Sequence, residues 1–288
     1  MRDLTGNESS SVRPTVLESS DSLGGKRDMD LKLCGQKVLI TGSSQGIGEG
    51  LAHAFAGEGC HLHLTARSAE KLEAMKRDME ARYEVKVTTT AIDMTNSGAP
   101  EQIVTDAGDI DLLINNAGVI PSGTIFDVGP EQWRQGWALK GYGYADMIRL
   151  VYPRMKARGG GVILNNIGNG GEICDPQYIT GAAGNASIMA MTRALGGSSL
   201  DDNIRVVGIN PGPVDTARIY NMLRKFAENT LGDAARYPEL MERYPLKRPA
   251  KIHEITDLFL FLASFRSGYT SGAIFTVDGG IASRRSVV

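Results

Sequence analysis

The segment Thr41-Gly42-Ser43-Ser44-Gln45-Gly46-Ile47-Gly48 follows the short aliphatic run Lys37 to Thr41 and precedes a stretch with helical periodicity. Glycines at this spacing let the backbone turn tightly after a strand and come close to a bound group. The helix that follows would point its free N–H groups at negative charge. The segment therefore predicts a phosphate-binding turn, and the alternative at this point is an ordinary glycine-containing turn between a strand and a helix.

Outward from this turn, short β-branched or aliphatic runs alternate with longer segments of helical period. Strands are predicted at 37–41, 61–65, 85–92, 110–114, 162–165, 204–209 and 273–277. Helices are predicted at 46–58, 68–82, 97–107, 130–157, 178–199, 216–231 and 252–264. This alternation with right-handed crossovers is typical of a parallel sheet between two helical layers. We predict an α/β fold: a single doubly wound, Rossmann-like domain over residues 31–288 with a seven-stranded parallel sheet.

The composition narrows the possible functions. The chain has 288 residues, of which 42% are hydrophobic, and its net charge of -2 lacks the electrostatic footprint of a nucleic-acid or anionic-membrane binder. Cys34, Cys60 and Cys174 are too scattered for a disulfide framework or a zinc site. His61 and His63 share one side of a strand, but no third ligand is evident. We expect a cytoplasmic protein without a metal, a nucleic-acid partner or a membrane span.

The first 30 residues differ from the rest of the chain. They are rich in serine and charged residues and have almost no apolar periodicity. Such a segment buries too little surface to offset its ordering entropy. We predict a disordered leader at 1–30, and its acidic residues argue against a transit peptide.

Four motifs occur in a fixed order along the predicted domain. They are TGxxxGIG at 41–48, Asn115-Asn116-Ala117-Gly118, Pro211-Gly212 and Val277-Asp278-Gly279-Gly280. With this order and spacing, everything but the leader and a few terminal residues resembles the short-chain dehydrogenase/reductase family. The resemblance implies a Rossmann-like fold that binds NAD or NADP, with the nicotinamide at the carboxyl ends of the strands, and an oxidoreductase that acts on an alcohol or carbonyl.

The resemblance also implies which residues hold the cofactor. Asp93 would bind near the adenine, 116–118 beside the adenosine ribose, and 211–216 along the nicotinamide and pyrophosphate. The full set of expected cofactor-binding residues is Gly42, Ser44, Gln45, Gly46, Ile47, Gly48, Arg67, Asp93, Met94, Asn116, Ala117, Gly118, Asn185, Pro211, Gly212, Val214 and Thr216.

The end of the second strand bears on the choice between NAD and NADP. It reads Thr65-Ala66-Arg67-Ser68 and lacks the acid that would bind the 2′-hydroxyl of NAD. Arg67 can instead pair with the 2′-phosphate of NADP. NADP is therefore the preferred cofactor, but Gln45 lies where many NADP-using relatives carry a second basic residue, so NAD stays open. Alternatively, Arg67 is a solvated cation at a helix start.

Proton chemistry in this family uses a Tyr, a Lys four residues later, an upstream Ser and an Asn on the preceding long helix. The neighbouring ammonium is needed because a free Tyr has a pKa of about 10. If Tyr178 is the family Tyr, Ala182 stands at the Lys position and Asn165 at the Ser position. That register supplies neither a Lys nor a Ser.

A second register, which we prefer, overlays the run Gly181 to Ile188 on the family pattern YxASKAAL. The Tyr position is then Gly181, the Lys position Asn185 and the Ser position Gly168, at the separation usual for the family. Counting down the preceding helix puts Lys140 at the Asn position. All four catalytic residues of the family are replaced in this register.

We hypothesise that the missing pair is relocated. Tyr178, Gly181 and Asn185 would share one helix face, so a phenol could reach the site from one turn earlier. Tyr178 would donate the proton and Lys140, from the adjacent helix, would lower its pKa. The predicted catalytic residues are Tyr178, Lys140 and Asn185. The alternative makes Tyr178 a packed aromatic at the helix start and Lys140 a surface or interface charge.

The helical glycines allow two further interpretations. Gly168 and Gly181 could leave a larger cavity above the nicotinamide, open to a bulky or apolar small-molecule substrate or to the side chains of Trp137, Tyr142 or Tyr144. Alternatively, the small residues of this helix form a flat packing face, which fits a homodimer or homotetramer. The segment 216–250 lies where the family carries its substrate lid, and its apolar residues could line the pocket.

Two functions follow. The first is an NAD(P)-dependent oxidoreductase of the short-chain type with an atypical proton path. The second is a catalytically impaired, cofactor-binding pseudoenzyme with a sensing or scaffolding role. Both predict cofactor binding, and only the first predicts turnover.

Overall fold

The computed structural model describes residues 29–284, so the predicted leader lies almost entirely outside the described residues. Its strands are β1 Lys37–Thr41, β2 His61–Ala66, β3 Val87–Ala91, β4 Leu112–Asn115, β5 Gly161–Asn166, β6 Ile204–Pro211 and β7 Ile274–Val277. They form one sheet in the order β3-β2-β1-β4-β5-β6-β7, and every neighbouring pair is parallel. The predicted fold class is confirmed.

The helices connect these strands and extend the C-terminal half. They are α1 Gly46–Gly57, α2 Ala69–Arg82, α3 Ala99–Ala107, α4 Pro130–Trp137, α5 Gly143–Ala157, α6 Gly170–Ile173, α7 Ile179–Gly196, α8 Ala217–Leu231, α9 Tyr237–Met241 and α10 Ile252–Ala263. The helix predicted at 130–157 is interrupted by a π-helical turn, Ala138–Tyr142, between α4 and α5. Such turns are rare and often mark functional positions.

The sheet separates two hydrophobic cores. Val38 and Ile40 of β1 pack into the core on the side of α1, α2 and α10, whereas Leu39 packs into the core on the side of α3 and α5. The alternation follows from the two-residue side-chain period of a strand. Because both faces are covered, the strands read as continuous apolar runs. Their positions were therefore predictable to within about two residues.

The order of the sheet determines where a ligand can bind. The chain moves outward from β1 to β3 and then returns to β4 on the other side of β1. Such a reversal opens a crevice at the carboxyl ends of the central strands. The turn at 41–48 follows β1 and segment 115–118 follows β4, so both lie at this crevice.

Candidate active site

The turn after β1 packs directly against the end of β4. Gly42 has a φ of +65°, and a Cβ there would lie 2.7 Å from the Cα of Ala117. A Cβ on Gly48 would overlap the carbonyl oxygen of Gly42. Helix α1 begins at Gly46, and Gln45 before it makes no side-chain hydrogen bond to the helix end. The turn thus presents backbone N–H groups to a ligand without an intervening side chain.

Asn116 links the two strand ends. Its Nδ2 donates to the carbonyl oxygens of Thr41 and Gly42, each at 3.0 Å. Thr41 Oγ1 in turn accepts hydrogen bonds from the backbone N–H groups of Asn116 and Ala117. Asn116 Oδ1 accepts a bond of 2.7 Å from Nδ2 of Asn166, at the end of β5. These bonds hold the ends of three strands in one arrangement.

Arg67 and Asp93 lie near each other at the ends of β2 and β3. Asp93 accepts hydrogen bonds from the N–H and hydroxyl of Thr95, at 2.9 and 2.7 Å. These bonds lower the pKa of the Asp93 carboxyl, and the charge of Arg67 lowers it further. Arg67 itself is exposed. A cation at this position is open to a ligand along the sheet edge.

The segment after β6 reaches the turn from the other side. Thr216 Cγ2 would lie 3.3 Å from a Cβ on Gly46, and Val214 is buried. A Cβ on Gly212 would lie 2.6 Å from Cβ of Asp278. The segments expected to bind the cofactor thus follow β1 to β4 and β6, along the carboxyl edge of the sheet. Met94 differs from the others because its side chain packs into the core beside Leu39.

This arrangement fits a nicotinamide dinucleotide. Glycines stand where a Cβ would fill the turn, the first N–H groups of α1 have no side-chain cap, and a cation ends β2. A pyrophosphate at the start of α1 is the interaction that a helix N-terminus of this kind favours.

Tyr178 lies across Gly181. A Cβ on Gly181 would overlap the Cε1 and Cζ atoms of the Tyr178 ring, so the phenol occupies the space of the side chain that Gly181 lacks. The ring also covers Gly170, where a Cβ would lie 3.0 Å from its Cε1. Tyr178 is the residue before α7, not a member of the helix. The sequence hypothesis that a phenol reaches this space from one turn earlier matches this geometry.

The cation beside the phenol is Arg218, not Lys140. Burial raises the pKa of Tyr178, while the charge of Arg218 and a side-chain hydrogen bond from it act in the opposite direction. Arg218 also donates from Nη1 to the carbonyl oxygen of Gly118, at 3.2 Å. The expectation that Lys140 would lower the pKa of Tyr178 is therefore corrected. Sequence reasoning missed Arg218, although a cation at the start of α8 opposes the helix dipole and was a usable signal.

Lys140 lies nearby on the π-helical turn. Its Nζ donates to the carbonyl oxygen of Ile167, just after β5. Its aliphatic stem crosses Gly118, where a Cβ would lie 2.8 Å from Lys140 Cδ. Burial and then the charge of Arg218 lower the pKa of Lys140 to about 7. Lys140 therefore points inward and is not a surface charge.

Asn185 and Gly168 form the floor of the site. Asn185 is buried, and within residues 29–284 its Oδ1 has no hydrogen-bond partner. Gly168 has a φ of +118°, and a Cβ there would lie 3.2 Å from Asn185 Nδ2. A serine at position 168 would be strained in this conformation. The loop after β5 is therefore built for glycine.

The larger cavity expected above Gly168 and Gly181 is not present as predicted, because the Tyr178 ring takes up the room at Gly181. The three aromatic residues proposed to fill that space lie elsewhere. Trp137 donates to the carbonyl oxygen of Thr180 at 3.2 Å, Tyr144 is buried with its hydroxyl 2.8 Å from the carbonyl oxygen of Asn166, and Tyr142 is exposed.

Comparison with known proteins places the chain in a family. Residues 42–282 match the family described as Enoyl-(Acyl carrier protein) reductase. Oxidoreductase UcpA of Salmonella typhimurium is 32% identical over 261 residues, covering 89% of this chain and 98% of UcpA. L-sorbose reductase from Gluconobacter frateurii, solved with NADPH and L-sorbose, is 32% identical, with a TM-score of 0.82 and coverage of 88% of this chain and 98% of that one. A 7α-hydroxysteroid dehydrogenase solved with NADH and 7-oxo glycochenodeoxycholic acid is 25% identical, with a TM-score of 0.76 and coverage of 87% and 96%.

The chain belongs to the short-chain dehydrogenase/reductase family and is an oxidoreductase. These relatives support a nicotinamide cofactor and a small-molecule alcohol or carbonyl substrate. Nothing in the comparisons favours the pseudoenzyme. Within residues 29–284, no helix combines the length and the hydrophobicity needed to cross a membrane.

Proposed function

We propose that this protein is an NADP-preferring reductase of a small carbonyl compound, in which Tyr178 donates the proton. The observation that carries the proposal is the Tyr178 ring in the space of the side chain missing from Gly181. The bound cofactor would supply the hydride to the carbonyl carbon. The oxygen then gains negative charge, and a positioned acid must stabilise it and protonate it.

The environment of Tyr178 suits an acid more than a base. Burial raises the pKa of its hydroxyl, so the phenol keeps its proton at neutral pH. Arg218 can stabilise the phenolate that forms when the proton has left. The proposed direction at neutral pH is therefore reduction, and oxidation of the alcohol would require a more alkaline solution.

Lys140 and Asn185 would position groups around Tyr178. Lys140 holds the carbonyl of Ile167 and thereby the loop that carries Gly168. The buried Oδ1 of Asn185 can accept a hydrogen bond from a hydroxyl of the cofactor or substrate. We assign the other expected cofactor residues, from Gly42 to Thr216 but without the buried side chain of Met94, to the crevice at the carboxyl edge.

Two further features belong to the proposal. Residues 216–250, which begin with the arm that carries Arg218, would act as the substrate lid. Helix α7 exposes Ala183, Ala186 and Ser187, and this small-residue face would support a homodimer or homotetramer.

The proposal is tested by a carbonyl screen that follows NADPH absorbance, run beside binding titrations with NADPH and NADH. The panel includes ketoses and keto steroids, the substrate types named for the two solved relatives. We expect turnover of at least one carbonyl compound and tighter binding of NADPH. Binding of either cofactor without any turnover would contradict the proposal.

Cofactor preference is tested at Arg67. A charge-assisted bond to the 2′-phosphate is typically worth about 1.5 to 3 kcal/mol, so Arg67→Ser should weaken NADPH binding by about tenfold to a hundredfold. NADH binding should change less than about twofold, because NADH lacks that phosphate. The matched control is Arg82→Ser at the far end of α2. If Arg67→Ser lowers the affinity for NADPH and NADH equally, or lowers neither, the proposed preference for NADP is wrong.

A further inference from the structure

Two cations converge on Gly118 from different elements. The stem of Lys140, on the π-helical turn, passes over the Gly118 Cα, and Arg218, at the start of α8, donates to the Gly118 carbonyl oxygen at 3.2 Å. They are close enough for the charge of Arg218 to lower the pKa of Lys140. Tyr178 lies on the same side, beside Arg218. Arg218 thus contacts both Gly118 and the proposed proton donor, and Lys140 lies near Arg218.

No carboxylate of the described residues compensates these charges. The ion pairs of residues 29–284 include neither Lys140 nor Arg218. The protein partners of Lys140 and Arg218 are instead backbone carbonyls and the neutral phenol. Lys140 is partly buried, whereas Arg218 is exposed. An ammonium held away from water without an opposite charge is costly, and an anion would relieve that cost at Lys140.

Three acidic residues near Tyr178 or Arg218 in the sequence have other partners. Asp175 accepts a hydrogen bond of 2.8 Å from the backbone N–H of Gln177. Glu172 accepts hydrogen bonds of 2.8 and 2.7 Å from Asn210 and Thr276, toward β7. Asp215 accepts a bond of 2.9 Å from the Tyr220 hydroxyl and lies 3.9 Å from Nζ of Lys251. The positive potential at Gly118 is therefore left for a ligand.

We infer that the carbonyl substrate carries an anionic group, a carboxylate or a phosphate, which Arg218 and Lys140 bind beside Tyr178. This inference rests on the proposed function, because it names the substrate class of that same site. Arginine presents a fork of five N–H donors, of which the Gly118 carbonyl and the phenol take two. Its remaining donors match two oxygens of an anion.

The cofactor is the less favoured source of that negative charge. Its pyrophosphate has a separate proposed position at the start of α1, and its 2′-phosphate has Arg67. Arg218 instead bonds Tyr178, where the reacting carbonyl must be, and Lys140 lies near Arg218. An anion on these two cations would hold the carbonyl near the phenol.

The experiment compares matched substrates on the wild-type protein with NADPH. Acetoacetate, levulinate and 5-oxohexanoate vary the distance from carbonyl to carboxylate, and each is compared with its methyl ester. Dihydroxyacetone phosphate is compared with dihydroxyacetone to separate phosphate from carboxylate. We expect the best anionic substrate to exceed its neutral partner in kcat/KM by about 10²-fold or more, since sites built for a polar group reject analogues without it.

Substitution of Arg218 and of Lys140 tests whether these two side chains cause the preference for anionic substrates. Arg218→Gln and Lys140→Met should each reduce the ratio of kcat/KM for the anion to that for its neutral partner to below about tenfold. Arg218→Gln should also slow both members of a pair, so the ratio is the diagnostic quantity. The control is Arg149→Gln on α5, where the exposed side chain pairs with Asp146. That variant should keep the wild-type ratio.

The outcomes separate the two proposals. Neutral carbonyls turned over as well as anionic ones would overturn the inference and leave the proposed function intact. An unchanged ratio in both site variants would also overturn it. Tight NADPH binding with no turnover of any carbonyl would instead reject the proposed function, and the substrate inference with it. Weaker NADPH binding by both site variants would assign the cations to the cofactor.

Discussion

At the scale of single residues, the proposed site brings a phenol and a guanidinium together from two different elements. The phenol stands before α7 instead of within it, and Gly181 makes room for its ring. In the proposed site, a guanidinium from α8 stands beside the phenol, where the family uses a lysine. The register that we prefer puts Gly168, Gly181 and Asn185 at the family's Ser, Tyr and Lys positions. The sequence marked Arg218 only as a cation at a helix start, and did not show its contact with Tyr178, because contact across 40 residues depends on how α8 leaves β6.

The titration of Lys140 gives a prediction about stability and pH. Burial lowers its pKa from 10.5 to about 7, whereas the unfolded chain keeps the ordinary value. Above pH 7 the folded protein therefore binds fewer protons than the unfolded one, and this group makes stability rise with pH. Lys140→Met removes that contribution. The stability of the variant relative to wild type should be higher at pH 6 than at pH 9, by about 1 to 3 kcal/mol.

Urea unfolding at the two pH values measures this difference. Lys225→Met, an exposed lysine on α8, is the matched control and should shift equally at both pH values. A Lys140→Met variant whose stability relative to wild type is the same at pH 6 and pH 9 would show that Lys140 titrates normally.

At the scale of elements, local sequence patterns predict the positions of the strands and long helices. They do not predict where a helix is interrupted. The π-helical turn at 138–142 turns Lys140 toward Gly118, yet nothing in the helical periodicity of 130–157 distinguishes it from a continuous helix. The tertiary contact of Lys140 with the carbonyl of Ile167 is what the altered turn provides. Arg218 also depends on a tertiary contact. A cation at a helix start is unfavourable for the helix dipole, and the Arg218 guanidinium bonds the carbonyl oxygen of Gly118, 100 residues away in the sequence.

Arg205 gives a prediction about an element unrelated to catalysis. It projects from β6 and is 7% exposed, and it donates to the carbonyl oxygens of Leu262, Ala263 and Ser264 at 2.5, 2.9 and 3.0 Å. These are the last carbonyls of α10 and the residue after it, which a cation stabilises. Arg205→Leu should therefore lower the free energy of unfolding by about 2 to 4 kcal/mol, because buried carbonyls lose their donors.

Chemical denaturation of Arg205→Leu and Arg149→Leu compares a buried with an exposed arginine. Arg149 pairs on the surface with Asp146, three residues before it in α5, and its loss should cost less than about 0.5 kcal/mol. If the two variants lose the same amount of stability, Arg205 does not cap α10 as described.

At the scale of the whole molecule, the parallel sheet brings residues that are far apart in sequence to one edge. Its order puts the ends of β1, β4, β5 and β6 side by side, so the turn at 41–48 contacts Asn116, and Arg218 bonds Gly118 just after β4. The segments that we expect to bind the cofactor could be selected from the sequence because each follows a strand, and those at 41–48, 115–118 and 211–212 contain glycines. The proposed proton path was harder to derive, because it depends on side chains that cross between elements.

The kcat for carbonyl reduction by Tyr178→Phe is the most direct measurement of the role assigned to Tyr178. The variant keeps the ring over Gly181 and removes only the hydroxyl, so NADPH affinity should stay within about twofold. Loss of a general acid should lower kcat by about 10² to 10⁴-fold, with the best carbonyl substrate of the screen. A kcat equal to that of wild type would contradict the assignment of Tyr178 as the proton donor.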